Sequence, residues 1–239
     1  MPIILPGSMQ LGPRGSSSPA TMAAFLSSIG KSSWYGGFLQ GQGLVANSDG
    51  SGGAVSSGGA VGCWATSQSA GGFSAKWIQA TSASRPGYST SLSGLGPVVY
   101  GNGSSWSLYL DSATALNRDC TILISLETTA ASGYLFTQNG DQWSWYISGN
   151  SDPQLYYSTT EVGSALAQAH RNDTLSGAAA WQRARRVAIS SGASTSRYGS
   201  PMRILGGASG YFTGSRFAEI WVTEKLTSLE CTKALTYLP

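Results

Sequence analysis

From residue 97 onward, apolar and polar residues tend to alternate. In 121–126, Ile122, Ile124 and Leu126 fall on one face, with Thr121, Leu123 and Ser125 on the other. In 143–147, Trp143, Trp145 and Ile147 share a face, and the preceding Asn139-Gly140-Asp141 is a hairpin turn signal. In 217–222, Ala218, Ile220 and Val222 alternate with Phe217, Glu219 and Trp221. A period of two is the mark of a half-buried strand. Further short strands separated by glycines are predicted through 34–80, at 97–110, 133–138 and 154–160, and before residue 217. Many short strands with regular turns and few helices predict an antiparallel two-sheet sandwich.

Two segments break the period. Met22, Phe25, Leu26 and Ile29 follow the i, i+3, i+4, i+7 rule. With Ser18 as N-cap, Pro19 in the first turn and Gly30 at the end, they predict one short helix. Its stripe has two readings: packing on the chain's own sandwich, or anchoring on a neighbouring subunit. At the other end, Thr227-Ser228-Leu229-Glu230 has the form of a capping box. Leu226 and Cys231 stand where a hydrophobic staple would be, and Cys231, Ala234, Leu235 and Leu238 make an apolar stripe. A helix this short needs a surface to bury that stripe, and the sandwich is the surface available. Residues 161–181 carry the alanines and leucines of a helical turn or of an inserted loop, and the pattern does not choose between them.

Composition changes the picture of the surface. The chain has 239 residues, 10% of them charged, against roughly 25% in an average soluble domain. With 32 glycines and abundant serine and threonine, hydroxyls, amides and backbone meet the solvent in place of ions. Such a surface suits a fixed assembly or sugar contact. The net charge of +3 is too weak to argue for nucleic acid. Asp49 is the only acid before Leu110. Residues 1–17, with Pro2, Pro6 and Pro13 between glycines, read as an extended arm. Cys63, Cys120 and Cys231 are too widely spaced for a disulfide framework or a zinc site, and read as buried thiols. The first residues lack the basic and apolar regions of a signal peptide. No run approaches the roughly 18–20 apolar residues of a membrane span.

Candidate chemistry is sparse. The glycine-rich 49–62 lacks both the Lys-Ser/Thr ending of a phosphate loop and a following helix pattern. Glycosidic hydrolysis on a sandwich needs two carboxylates facing each other across a cleft, and no E-x-D-x-x-E strand occurs; Glu219 and Glu224 are the nearest pair. His170, beside Arg171 and Asp173, is the single histidine, and no convincing nucleophile elbow surrounds a serine. No catalytic residue, metal ligand set or cofactor site is therefore expected, and the chain is expected to be no enzyme; structural calcium stays open. Arg183, Arg185 and Arg186 read as a solvated strand end or as an anion or partner contact. Sugars bind by stacking on aromatic rings with a few polar groups fixing their hydroxyls. Asn139, Asp141, Trp143, Trp145, Tyr146 and Asn150 supply that combination around one hairpin and are the candidate ligand-binding residues, although clean alternation also fits Trp143 and Trp145 to the core.

Residues 206–238 resemble the end of the concanavalin A-like, laminin-G-like jelly-roll domains. Gly206-Gly207, Phe212-Thr213-Gly214, Phe217-Ala218-Glu219-Ile220, Leu226 to Glu230 and Tyr237-Leu238 match that family's closing turn, strand, cap and helix end. A second match is Trp77 to Ser89, similar to the family's Q-A-T…R-P-x-Y stretch, followed by a strand pair from Gly94 to Leu108. Asn102 stands where the family often has Asp, and the family's usual hairpin motif is not legible in 160–200. The resemblance implies an all-β jelly-roll over residues 34–239 with a C-terminal helix. Residues 1–33, arm and short helix, lie outside it as an assembly anchor, with Met22, Phe25, Leu26 and Ile29 as the contact. Domains resembling this one are frequent in tailed-phage particles. The expectation is a structural component of a virion: a head decoration, fibre or tail-associated protein made in the host cytoplasm. It would be a homo-oligomer joined to other capsid or tail proteins through its arm, with weak glycan binding as an addition. The alternative is a carbohydrate-binding module of a bacterial cell-surface or secreted protein. No nucleic acid or membrane partner is expected.

Overall fold

A computed structural model describes residues 19–33, 35–101, 107–111, 120–127, 133–138, 143–147, 154–157, 160–161, 168–171, 186–190, 202–204 and 215–239. The elements run α1 (Met22–Ser28), β1 (Tyr35–Phe38), β2 (Leu44–Val45), β3 (Cys63–Ala65), β4 (Gln68–Ala70), β5 (Lys76–Ile78), β6 (Gly87–Ser93), β7 (Gly96–Tyr100) and β8 (Leu108–Leu110). They continue with β9 (Cys120–Glu127), β10 (Gly133–Gln138), β11 (Trp143–Ile147), β12 (Gln154–Tyr157), β13 (Thr160–Glu161), β14 (Gln168–Arg171), β15 (Arg186–Ser190), β16 (Met202–Ile204), β17 (Arg216–Glu224) and α2 (Ser228–Ala234). The chain is thus mostly β, with a short helix at its C-terminal end.

The strands form two sheets, and every pairing within them is antiparallel. The first has the order β14-β15-β9-β17-β1-β4, with β7 also on β17 and β6 on β7. The second has the order β13-β12-β11-β10-β16-β8-β5-β3-β2. The main core lies between them. Phe38, Val99, Ile122, Ile124, Leu126, Phe217, Ile220 and Val222 from the first sheet meet Leu44, Trp64, Trp77, Leu108, Leu110 and Ile204 from the second. Phe38 packs edge-on to Trp64 at 6.2 Å between ring centroids, and lies 5.8 Å from Trp77.

The outer face of the first sheet is a second core. Leu123, Tyr35 and Trp221 point there, and both helices cover them with Met22, Phe25, Leu26, Leu226, Cys231, Ala234, Leu235 and Leu238. The capping box forms as expected. The Glu230 N–H donates to Thr227 Oγ1 at 3.3 Å, and the Thr227 N–H donates to Glu230 Oε2 at 2.7 Å. All three cysteines are buried.

Several expectations change. The N-cap of α1 is Thr21, whose Oγ1 accepts the Ala24 N–H at 3.2 Å, because that hydroxyl stands three residues before the donor. Ser18 lies outside the described residues. Gly30, at φ +76°, ends the helix, with the Lys31 N–H donating to the Leu26 carbonyl at 2.8 Å. In β17 the alternation slips, because a bulge between Phe217 and Glu219 breaks the register with β9. Phe217 joins Ile220 and Val222 in the inner core, and Trp221 faces the helices. Within 161–181, Gln168–Arg171 is a strand, paired to β15 at the sheet's edge.

The assembly contact is corrected by the same geometry. Met22, Phe25 and Leu26 are 3%, 1% and 0% exposed inside the chain's own second core, with Ile29 packed against it. The stripe is occupied because α2 and the face of the first sheet offer it a matching apolar surface within the chain.

Candidate functional site

The Gln79-Ala80-Thr81 to Arg85-Pro86 stretch builds one end of the second sheet. Trp77, Leu108 and Leu110 point into the core, so Ile78 and Tyr109, which alternate with them and face each other across β5 and β8, lie on the outer face. Beyond Ile78 the pairing of β5 with β8 stops, and the buried Gln79 side chain takes its place. Its Nε2 donates to the Ser107 carbonyl at 2.9 Å, and its Oε1 accepts the Thr81 N–H at 3.0 Å. Arg85 braces the turn, donating from Nε to the Gln79 carbonyl at 3.1 Å and from Nη1 to the Ala46 carbonyl at 2.9 Å. The motif's glutamine and arginine therefore shape a wall, and their own polar groups are used in doing so.

Against that wall lies a cleft of about 380 Å³ lined by Ile78, Gln79, Ala80, Thr81, Tyr109, Leu110 and Asp111. Asp111 is exposed, and its backbone N–H is spent on the Lys76 carbonyl at 2.7 Å. Its carboxylate has no hydrogen-bond or ion-pair partner among the described residues. The neighbouring Lys76 directs its Nζ to the Asp49 carbonyl at 2.9 Å, on the loop between β2 and β3. The described lining thus offers an aromatic ring, aliphatic walls, a hydroxyl and one carboxylate. That set can hold a small apolar-faced or cationic group. No local pattern marks this site: Asp111 and Tyr109 lie three strands from the hairpin that carries the aromatic cluster, and only the β5–β8 pairing brings them to the glutamine motif.

The expected ligand residues fall elsewhere. Asn139, Asp141 and Asn150 lie outside the described residues. Trp143, Trp145 and Tyr146 are on β11, an interior strand between β10 and β12. The register aligns Trp145 with Leu155, Phe136, Ile204 and Leu108, and the last two are core. Along the strand Trp143 has the parity of Trp145, and Tyr146 the opposite one. Of the residues around the single histidine, His170 and Arg171 are on the edge strand β14, and Asp173 is outside the described residues. Arg186 opens β15, while Arg183 and Arg185 lie outside the described residues.

Glu219 is a second unusual group. It is partly buried beside the helical layer, where it accepts the Trp221 Nε1–H at 2.5 Å and the Gln40 backbone N–H. Burial pushes its carboxyl above the ordinary glutamate value of 4.5, with the two hydrogen bonds opposing the rise. The sign follows from linkage. Below the ordinary value both folded and unfolded chains hold the proton. As pH rises past it, the unfolded chain releases its proton first and stability falls, until the higher folded value is also passed. Glu219→Gln keeps an acceptor for Trp221 and is expected to flatten that decline in a series of melting curves from pH 4 to pH 7. Parallel curves for the two proteins would rule the effect out.

No protein-family model matches the chain, and no curated protein matches it. Among solved structures the chain is similar to the sialidase of Trypanosoma rangeli. The structure with the inhibitor DANA gives a TM-score of 0.45 at 10% identity over 86% of this chain. Another of the same sialidase gives 0.46 at 13% over 84%, and the covalent intermediate with difluorosialic acid gives 0.43 at 12% over 84%. The chain spans only about a third of those proteins, 32% to 36% of their length. These neighbours correct one expectation. They are enzymes, which stands against the expectation that this chain is none, although TM-scores of 0.43 to 0.46 carry no argument about its chemistry. At this distance they assign it no activity either.

Proposed function

We propose that the chain is a jelly-roll component of a tailed-phage particle, a head decoration, fibre or tail-associated protein that joins its neighbours through residues 1–18. The jelly-roll reading is supported by where the family-like motifs fall. Trp77 to Ser89 covers β5, the braced turn and the start of β6, and Phe217 to Ile220 lies in β17 between its neighbours β9 and β1. The observation that carries the particle reading is the root of the arm. α1 is fixed to the sandwich by its buried stripe, so the Pro- and Gly-spaced chain ahead of it leaves from a rigid point. A low-charge surface suits permanent contact with neighbours. Glycan contact through the 139–150 hairpin belongs to the same proposal. A carbohydrate-binding module is the second reading, favoured by the ring, hydroxyl and carboxylate of the Tyr109 cleft.

Mass spectrometry of purified particles is expected to find the full chain. A chain lacking residues 1–18 is expected to melt within a few degrees of the full protein, since α1 and its Thr21 cap are intact, yet to be lost from the particle fraction. Its undiminished incorporation would show that the arm is not the joint. Absence of the full chain from particles would end the reading.

A further inference from the structure

We infer that the Asp111 cleft receives the arm of a second copy of this chain, with Arg14 as the group it holds. This rests on the particle reading for the arm's role, and on the cleft's own chemistry for the rest. Residues 1–18 lie outside the described structure, and Arg14 is the only charged side chain among the first thirty residues. Among the described residues Asp111 is the only charged side chain lining the cleft, and its carboxylate has no partner among them. A guanidinium can bond to that carboxylate while its flat face rests on the Tyr109 ring. Leu11 and Pro13 precede Arg14 and match the apolar surface of Ile78 and Ala80.

Reach decides that the arm is a neighbour's. The arm is rooted at Thr21 on the outer face of the first sheet, and the cleft is on the outer face of the second. Seven peptide units from Arg14 to Thr21 span at most about 25 Å, and the extended arginine side chain adds about 7 Å. The depth to be crossed is about 10 Å between sheets and about 10 Å for the helical layer. α1 sits over β1, β9 and β17, so rounding an edge adds several strand spacings of about 4.8 Å each. The chain's own Arg14 falls short, whereas a neighbour's is free of that limit.

The test titrates a synthetic peptide of residues 1–18 onto the chain lacking them, by calorimetry or fluorescence anisotropy. Saturable binding is expected, weakened about tenfold or more by Arg14→Gln in the peptide or by Asp111→Asn in the protein. Arg14→Glu with Asp111→Arg is expected to restore binding that either change alone removes. Melting curves check that the Asp111 variants are folded, which an exposed position permits. No binding at millimolar peptide, equal binding to Asp111→Asn, or displacement of nothing while a neutral oligosaccharide binds at Asp111 would each overturn the inference. Particle incorporation without peptide binding refutes this inference and leaves the particle reading standing. Peptide binding by a chain absent from particles does the reverse.

Discussion

Phe25→Ala is expected to lower the free energy of unfolding by about 3–5 kcal/mol, the range for emptying a large aromatic site in a core. Phe25 is 1% exposed and stacks on Tyr237 at 5.1 Å between centroids, with planes 18° apart. The Lys233 ammonium lies 5.8 Å from the centroid of the same ring. Losing the ring leaves a gap in the second core between α1 and the C-terminal segment and removes the stack on Tyr237. A seven-residue helix has little stability of its own, so α1 is expected to detach rather than close the gap. Urea unfolding measures the loss. Tyr237→Ala in the same background is expected to be far less than additive, because the two rings share one contact. A loss below about 1 kcal/mol would mean that the stripe carries little of the chain's stability.

Gly71→Ala is the second large effect, and Gly72→Ala is its control. Both glycines have positive φ, +61° and +74°. A Cβ on Gly72 would meet nothing within 4 Å, so its substitution costs only the left-handed penalty, about 1–2 kcal/mol. A Cβ on Gly71 would lie 1.2 Å from the Ser33 carbonyl oxygen. The backbone before β1 or the turn after β4 must then move, and β1 is the strand that joins β4 to β17 in the first sheet. The expected loss is about 3–5 kcal/mol, at the upper end of single substitutions, with much reduced soluble yield. Thermal melts of the pair make the comparison. Equal melting temperatures would show that the 33–71 approach is not tight in solution.

Local patterns carried the elements and little of their arrangement. The strand faces of β9 were legible because each face meets an apolar layer: Ile122, Ile124 and Leu126 the inner core, Leu123 the helices. The capping box was legible because its two bonds lie within four residues. The slip in β17 was not, since a bulge is set by the partner strand and has no period of its own. The stripe of α1 was seen, but its target was not: amphipathicity says that a face is buried and is silent about against what. The glutamine motif was legible as letters, while the cleft it borders depends on pairing between β5 and β8, about thirty residues apart in sequence. Tryptophan is conspicuous in a sequence and a lone aspartate is not: Asp111 becomes distinctive only as the one carboxylate in the described lining of the cleft.

The pairing of β1 with β17 sets Tyr35 opposite Thr223. The first strand to leave the ribosome must wait for the last before the centre of its sheet can close. At about 5–20 residues per second, that leaves the emerging chain without its middle strand for roughly ten seconds or more. During that interval Phe38, Ile122 and Ile124 have no permanent cover. Pairings so distant along the chain are slow to form and exposed to wrong partners. Soluble yield should therefore respond to the speed of synthesis and to chaperone supply more strongly than the stability of the finished protein would suggest, and slower growth at low temperature should raise it.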